Sequence, residues 1–513
     1  MLLAGSVAQA GAAAVAALLV YRLLGPGDSG LYSLVIVPAN IIQLFVGLGV
    51  SVAVTRNVAY YNSVGETEKA VRISKNAVTF VLLTGLVLGV LAYVASGQIA
   101  GMMLHRPSLA PYVGLISVII AGQALLGAGV AAAIGWNAMG IASLANVTQG
   151  VARMVASPLL VVIGLGLGGA VIGYAASYVL AGLAVVSLLF MTRLQIPSNS
   201  LRSFAADVRG MVRFGFPPYI GGILSGLASY YVPLVLAVIA SNATIGYYTA
   251  ANTASVPISL VSSTAAAALF PAFAGLVGVG ADTAKAFRRA VKYVGYISIP
   301  IVFFIVVAAK ELMALLFGAQ FLPGTTLLVL LSLTFLPVVA GSGIIPTFFN
   351  GMGRTRITLY VLGSSTLTLF VLAPLLGATV GLGVDGTILA ILISNVVLTA
   401  TGLWFFRKLF SSSPEWRPAA ATLCAGVAGL AVTYAVPVLP SDIAALAERL
   451  AVFSLVYLTL GPTLGAVSEG DLEFAQAALG EMAVVSRLLR PFFRYQLLVA
   501  ARVRGGSDGG TAR

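Results

Sequence analysis

The sequence predicts an all-α polytopic membrane protein of about fourteen transmembrane helices, arranged as two parallel six-helix repeats followed by two extra helices. Three observations predict it. The composition is too apolar for water, apolar runs of about 20 residues follow one another along the chain, and the first half of the chain returns in the second at a nearly constant shift.

Apolar residues make up 59% of the 513, charged residues only 8%, and the mean hydropathy is +1.04. A soluble domain keeps roughly a quarter of its residues charged, so this chain belongs in lipid. Its 57 Gly and 22 Pro fall within apolar runs, where membrane helices use both as kinks and close-packing sites. Cys424 is the single cysteine, which excludes an internal disulfide. His105 has no cysteine or acidic neighbours at metal-ligand spacing, so no metal site is expected. Phosphate-loop, nucleophile-elbow and zinc motifs are missing, and the Gly-x-Gly pairs around Gly164 to Gly168 read as helix ends. No cofactor is expected.

Taken in order, the apolar runs place spans near 2–24, 31–55, 76–97, 111–135, 143–165, 169–192, 216–240, 246–271, 292–310, 325–349, 357–379, 384–406, 419–438 and 450–467. The first has no basic stretch before it and is too long for a secretory signal, so it is expected to stay in the protein. Lys and Arg alternate between the two sides. One side holds Arg56, Lys69, Arg72 and Lys75, then Arg193, Arg202, Arg209 and Arg213, then Lys285, Arg288, Arg289 and Lys292. Arg354, Arg356, Arg407, Lys408, Arg417 and the arginines of the tail fall there too, whereas the other side has only Arg22, Arg106, Lys310 and Arg449. Basic residues stay cytoplasmic, so both termini are expected inside a cell membrane. The net charge of +13 then reflects orientation and contact with membrane lipids, with no nucleic-acid partner.

The repeat is legible in four places. Gly30-Leu31-Tyr32-Ser33 returns as Gly246-Tyr247-Tyr248-Thr249, and Glu66-Thr67-Glu68-Lys69-Ala70-Val71-Arg72 as Asp282-Thr283-Ala284-Lys285-Ala286-Phe287-Arg288, both at a shift of 216. Asn137-Ala138-Met139-Gly140 returns as Asn350-Gly351-Met352-Gly353, and Gly166 with Gly169 as Gly383 with Gly386. Each unit holds an even number of spans, so both enter the membrane the same way round, related by an axis along its normal. The expected divisions are a six-helix lobe over 1–195, a second over 210–410, a two-helix hairpin over 415–470 and a cytoplasmic amphipathic tail over 471–513. In the tail, Leu488, Leu489, Phe492, Phe493 and Leu497 alternate with Arg487, Arg490 and Arg494, which suits a helix lying on anionic lipid, broken at Pro491.

The stretch Arg22-Leu23-Leu24-Gly25-Pro26-Gly27-Asp28-Ser29-Gly30-Leu31-Tyr32-Ser33 resembles the first loop of the polysaccharide and oligosaccharide-lipid flippases, with a slightly different spacing before the Gly-Pro pair. Gly47-Leu48-Gly49 leading to Arg56, the segment Gly246 to Ala250, Leu316-Phe317-Gly318 and Gly351-Met352-Gly353-Arg354 extend the likeness over essentially residues 1 to 410. That family belongs to the superfamily that also holds the multidrug-and-toxin (MATE-like) antiporters and the peptidoglycan-precursor flippases. The resemblance implies two lobes facing a central cavity that opens alternately inward and outward.

A lipid-linked sugar has a polar, anionic head that is expensive to bring through hydrocarbon and an isoprenoid tail that can stay there. Its carrier needs a wet, basic cavity, and ionisable residues within spans are where to look for one. No Asp or Glu lies well inside an expected span; Arg153 does, with Arg22 near the outer end of the first and Arg56 at the inner end of the second. At the local repeat shifts these three fall on Val238, Ala272 and Thr366, all uncharged, whereas Lys69 and Arg72 recur as Lys285 and Arg288. Arg22, Arg56 and Arg153 are therefore the expected substrate-binding residues for an anionic head group. The expected function is export of a lipid-linked (polyprenyl-phosphate-type) oligosaccharide or polysaccharide unit, with glycosyltransferases of the same pathway as partners. A cation-coupled multidrug antiporter is the alternative and would call for a carboxylate within a span. A membrane enzyme acting on lipid-linked sugars is a lesser one and would call for catalytic groups on a sizeable outer loop.

Overall fold

A computed structural model describes residues 2–195, 200–278, 282–413, 415–437, 439–479, 491–492 and 494–499. The described chain is helical, with no strand. Its main helices are α1 (Leu2–Gln43), α2 (Val50–Ser63), α3 (Thr67–Val94), α4 (Ile116–Gly135), α5 (Met139–Leu160), α6 (Gly166–Thr192), α7 (Ser200–Ile239) and α8 (Asn242–Gly278). They continue as α9 (Thr283–Val307), α10 (Ala309–Phe317), α11 (Thr325–Leu333), α12 (Ile345–Gly351), α13 (Thr355–Pro374), α14 (Gly383–Phe410), α15 (Trp416–Ala435), α16 (Asp442–Thr463) and α17 (Glu469–Leu479).

Among the described residues, 12 helical runs are long and apolar enough to cross a membrane. Two of them double back. The run Gly5–Gln43 leaves helical geometry at Gly25 (φ 73°, ψ 173°), and Tyr21 and Tyr32, on either side of that break, meet ring to ring at 6.3 Å. The run Met139–Thr192 turns at Gly164 and Gly166, with φ of 102° and 49°, and folds α6 against α5. Each of these two runs covers two of the spans expected from hydropathy, which is where twelve runs and fourteen expected spans differ.

Two spans break in mid-course. After α1 the chain passes Gly47, Leu48 and Gly49 at φ of 72°, 46° and 84° before α2 begins, and the Gly47 amide donates to Thr84 Oγ1 at 3.2 Å. Between α11 and α12 the chain turns through Gly341 (φ 102°), and Asn395 Nδ2 donates to the Thr334 carbonyl at 3.0 Å. Side chains from neighbouring helices thus satisfy backbone groups that a broken helix would leave bare in hydrocarbon.

The chain forms two compact units, one of Met1–Thr253 with Ala373–Thr387, the other of Ala254–Leu372 with the remainder from Ile388. The first extends past the 195/210 division suggested by the repeat because α7 packs closely on the first hairpin. A Cβ at Gly49 would lie 2.5 Å from the Gly215 carbonyl, and one at Gly215 only 2.1 Å from the Gly49 carbonyl. Only glycine fits at either position. Near its start, α7 is held by Asp207, which accepts from Arg72 Nε at 3.0 Å and Asn76 Nδ2 at 2.8 Å, both on α3.

The second unit has an aromatic core in which Phe287 lies 4.5 Å from both Phe348 and Phe406, ring centre to ring centre. Such pairs each contribute about 0.5–1.5 kcal/mol beyond their burial. The extra hairpin of α15 and α16 is attached to α9: Gly426 admits the Phe303 ring, and the Tyr457 hydroxyl donates to the Tyr296 carbonyl at 2.8 Å. Two charges at the edges of expected spans are buried here. Arg449 and Glu311, read as lying outside the spans, are 9% and 4% exposed, with Arg449 Nη2 3.0 Å from Glu311 Oε1 and Nη1 donating to the Val307 carbonyl at 2.6 Å. The two charges enter the interior by neutralising each other.

Helix α17 begins the expected surface tail and docks on α9 through an ion pair between Asp471 and Lys292, joined by the Tyr293 hydroxyl at 2.8 Å. Burial pushes the Asp471 carboxyl up, but Lys292, Ser468 and Tyr293 outweigh it and hold the group well below the usual carboxylate range. The Asp471 carboxylate therefore stays ionised at physiological pH. Farther along, Tyr495 hydrogen-bonds with Thr459 at 2.7 Å and Gln496 donates to Tyr296. Arg487, Leu488, Leu489, Arg490 and Phe493 lie outside the described residues.

Candidate functional site

In the first unit three helices meet around Arg153. Small residues set the spacing. A Cβ at Gly150 of α5 would lie 2.9 Å from the Gln9 backbone, and one at Gly173 of α6 2.5 Å from the Ser157 backbone. Between these two levels α5 presents Arg153. Its guanidinium carbon lies 4.6 Å from the centre of the Tyr174 ring. Tyr32 meets that ring edge-on at 6.4 Å, Tyr21 meets Tyr32, and the hydroxyls of Tyr174 and Tyr178 are 3.4 Å apart. These four tyrosines are the groups whose electrostatics reach Arg153. One turn below, Gln9 donates to Gln149 at 3.0 Å and Gln149 to Ser177 at 3.2 Å, extending the polar strip along the same face.

What surrounds Arg153 matters less than what is missing. Its Nε is buried and makes no hydrogen bond, and the Tyr32 hydroxyl, on a side chain 1% exposed, makes none either. Among the described residues the ion pairs are Lys69 with Glu66, Arg72 with Asp207, Lys292 with Asp471 and Arg449 with Glu311; Arg153 belongs to none. A half-buried guanidinium resting on the Tyr174 ring, with its Nε unbonded and no carboxylate paired with it among the described residues, is arranged to receive an anion.

The other two expected site residues lie apart from this cage. Arg56, exposed on α2, has its guanidinium 4.6 Å over the Phe214 ring of α7. Arg22 is exposed on α1, next to the inward-turned Tyr21. Sequence reading found the arginines and missed the tyrosines. A signal existed: Tyr32 sits in the repeated Gly-x-Tyr motif, and Tyr174 and Tyr178 are one helical turn apart on one face.

In the second unit a cavity of about 500 Å³ opens between α9, α16 and α17, lined chiefly by apolar side chains such as Ile297, Phe304, Phe453, Leu472 and Phe492. Among the described residues no group of three or more His, Cys, Asp or Glu could hold a metal.

The chain is an all-α bundle with 12 helical runs long and apolar enough to cross a membrane among the described residues, and solved structures share its fold. The lipid II flippase MurJ in an inward closed conformation aligns with a TM-score of 0.66 over 89% of this chain and 98% of its own, at 13% identity. The inward-facing form of a multidrug resistance MATE family transporter of the MOP superfamily aligns at 0.63 over 78% and 94%, at 19% identity. A MATE structure in complex with MaL6 aligns at 0.52 over 79% and 96%, at 18% identity. The chain belongs to the polysaccharide biosynthesis protein family, which it matches over residues 1–277. No protein of curated function matches it in sequence.

Proposed function

We propose that this polytopic membrane protein flips a lipid-linked oligosaccharide or polysaccharide unit from the cytoplasmic to the outer leaflet of the cell membrane by alternating access. The observation that carries the reading is Arg153, a half-buried cation whose Nε is unbonded and which no carboxylate pairs among the described residues, in a member of a polysaccharide biosynthesis family. A substrate phosphate would complete the missing pair, with Arg22 and Arg56 meeting the same anion at other depths. The apolar cavity of the second unit offers room for hydrocarbon. In this reading the chain acts as a carrier, supplied by glycosyltransferases of its pathway.

The test is translocation in proteoliposomes of a fluorescent polyprenyl-diphosphate oligosaccharide. Protein-dependent flipping is expected, faster under an inside-negative potential, because each negative charge moved outward gains roughly 2.3 kcal/mol per 100 mV. Exchange of ethidium for protons or sodium, with no movement of the lipid-linked sugar, would establish the antiporter reading instead. A carboxylate for such coupling is hard to find inside: Glu311 is buried, but it is bound to Arg449.

The orientation proposed with this function has fourteen spans and both termini in the cytoplasm. Cysteines introduced at Ser63 and Ser411, both exposed, should react only with reagents that enter the cell. Labelling of both by an impermeant maleimide added outside would reverse the topology.

A further inference from the structure

The two repeats touch each other inside the first unit at positions that are each other's equivalents. A Cβ on Gly30 would lie 2.0 Å from the Asn242 carbonyl oxygen, and a Cβ on Gly246 1.9 Å from the Pro26 carbonyl oxygen. Adding the repeat shift of 216 to Pro26 and Gly30 gives Asn242 and Gly246, so the contact is reciprocal, as in an isologous interface. Ser33 and Thr249, separated by the same shift, complete it with a hydroxyl–hydroxyl bond of 3.1 Å. The chemistry of this seam is backbone lying on backbone, made possible by glycine and held by weak contacts that separate without leaving a buried charge.

One strong element crosses the seam. Arg106, from the turn between α3 and α4, donates to Asn242 Oδ1 at 2.8 Å and to the carbonyls of Ala240 at 2.9 Å and Ala237 at 3.2 Å. It covers the carbonyl end of α7, where a cation is favoured. The corresponding stretch of the second repeat, around Ala319 and Gln320, has no arginine, so the latch acts from one side only.

We propose that the Gly30–Gly246 seam, latched by Arg106, is the outer gate of the carrier. It rests on the alternating-access reading and orientation given above, which place this face outside. The carrier releases substrate only when the two glycines part and Arg106 lets go of the α7 end.

The experiment uses the full-length chain with Cys424→Ser. In a Ser33→Cys background, an impermeant maleimide added outside reports whether the seam is open, and no substrate is required. Gly30→Ala with Gly246→Ala cannot seat as the glycines do, and labelling should speed up at least about tenfold, a shift of roughly 1.4 kcal/mol. Arg106→Ala should speed it too. Gly27→Ala, with nothing within 4 Å of its Cβ, should leave it unchanged. A second variant, Ser33→Cys with Thr249→Cys, should close under copper phenanthroline, stop transport, and recover on reduction. Equal labelling in the Gly→Ala and parent proteins, or undiminished transport by the oxidised pair, would overturn the gate. If the reduced pair and the parent move no lipid-linked sugar while the labelling still accelerates, the saccharide reading fails and the gate stands.

Discussion

Replacing Arg449 by alanine is expected to lower the stability of the second unit by about 3–5 kcal/mol, the effect of stranding a buried charge by removing its partner. Glu311 would remain 4% exposed, its carboxylate stripped of the guanidinium 3.0 Å away. The Val307 carbonyl would lose its donor as well. The pair already leaves Arg449 Nε and Glu311 Oε2 unsatisfied, so it offers no spare bonds to soften the loss. Melting in detergent, followed by size-exclusion fluorescence, reads the effect. The double variant Arg449→Met with Glu311→Leu should recover most of it, since two apolar groups can replace a buried pair at little loss. An Arg449→Ala protein that melts with the parent would show that water reaches the pair and that the hairpin is held by its aromatic contacts alone.

Arg153 should behave in the opposite sense. Replacing it by methionine removes a half-buried cation that no carboxylate balances among the described residues, so the fold is expected to be no less stable, or modestly more so. Transport should fall on the order of 10- to 100-fold, the loss of one or two charge-assisted hydrogen bonds to the substrate. Arg153→Lys keeps the charge without the fork and should fall in between. Paired measurements of melting and flipping separate the roles. If Arg153 merely braces Tyr174 and its neighbours, methionine lowers the melting temperature and transport declines only with the amount of folded protein. Stability gained while activity is lost marks a charge kept for its ligand.

The apolar runs are legible in the sequence because they are local: hydrocarbon demands long apolar stretches. Gly30 and Gly246 stand out in the sequence as repeated letters, and in the structure each rests on the other's carbonyl segment. Arg153 is legible for a similar reason, as the one charge near the middle of a span. Its surroundings are not. Tyr21, Tyr32, Tyr174 and Tyr178 come from two arms of a doubled-back helix and from a third helix, and no spacing rule joins them to Arg153. Glu311 escaped notice because hydropathy ends the ninth span one residue before it, whereas α10 turns the carboxylate inward to a partner far along the chain. Tertiary pairing, which admits charge to the interior, leaves no local trace.

If Arg153 takes the substrate phosphate as proposed above, its lack of a counter-charge also makes the empty carrier electrically active. With about two negative charges aboard, the loaded site is net negative; once emptied, it is net positive through Arg153. An inside-negative potential therefore pushes the loaded form outward and draws the empty form back, so one voltage drives both strokes of the cycle. The gain is roughly 2.3 kcal/mol for each unit charge that crosses a full 100 mV. A site neutralised by its own carboxylate would have to return unaided. On this reading Arg153 is a gating charge as well as a ligand, and a voltage step without substrate should move charge in the parent protein and none in Arg153→Met.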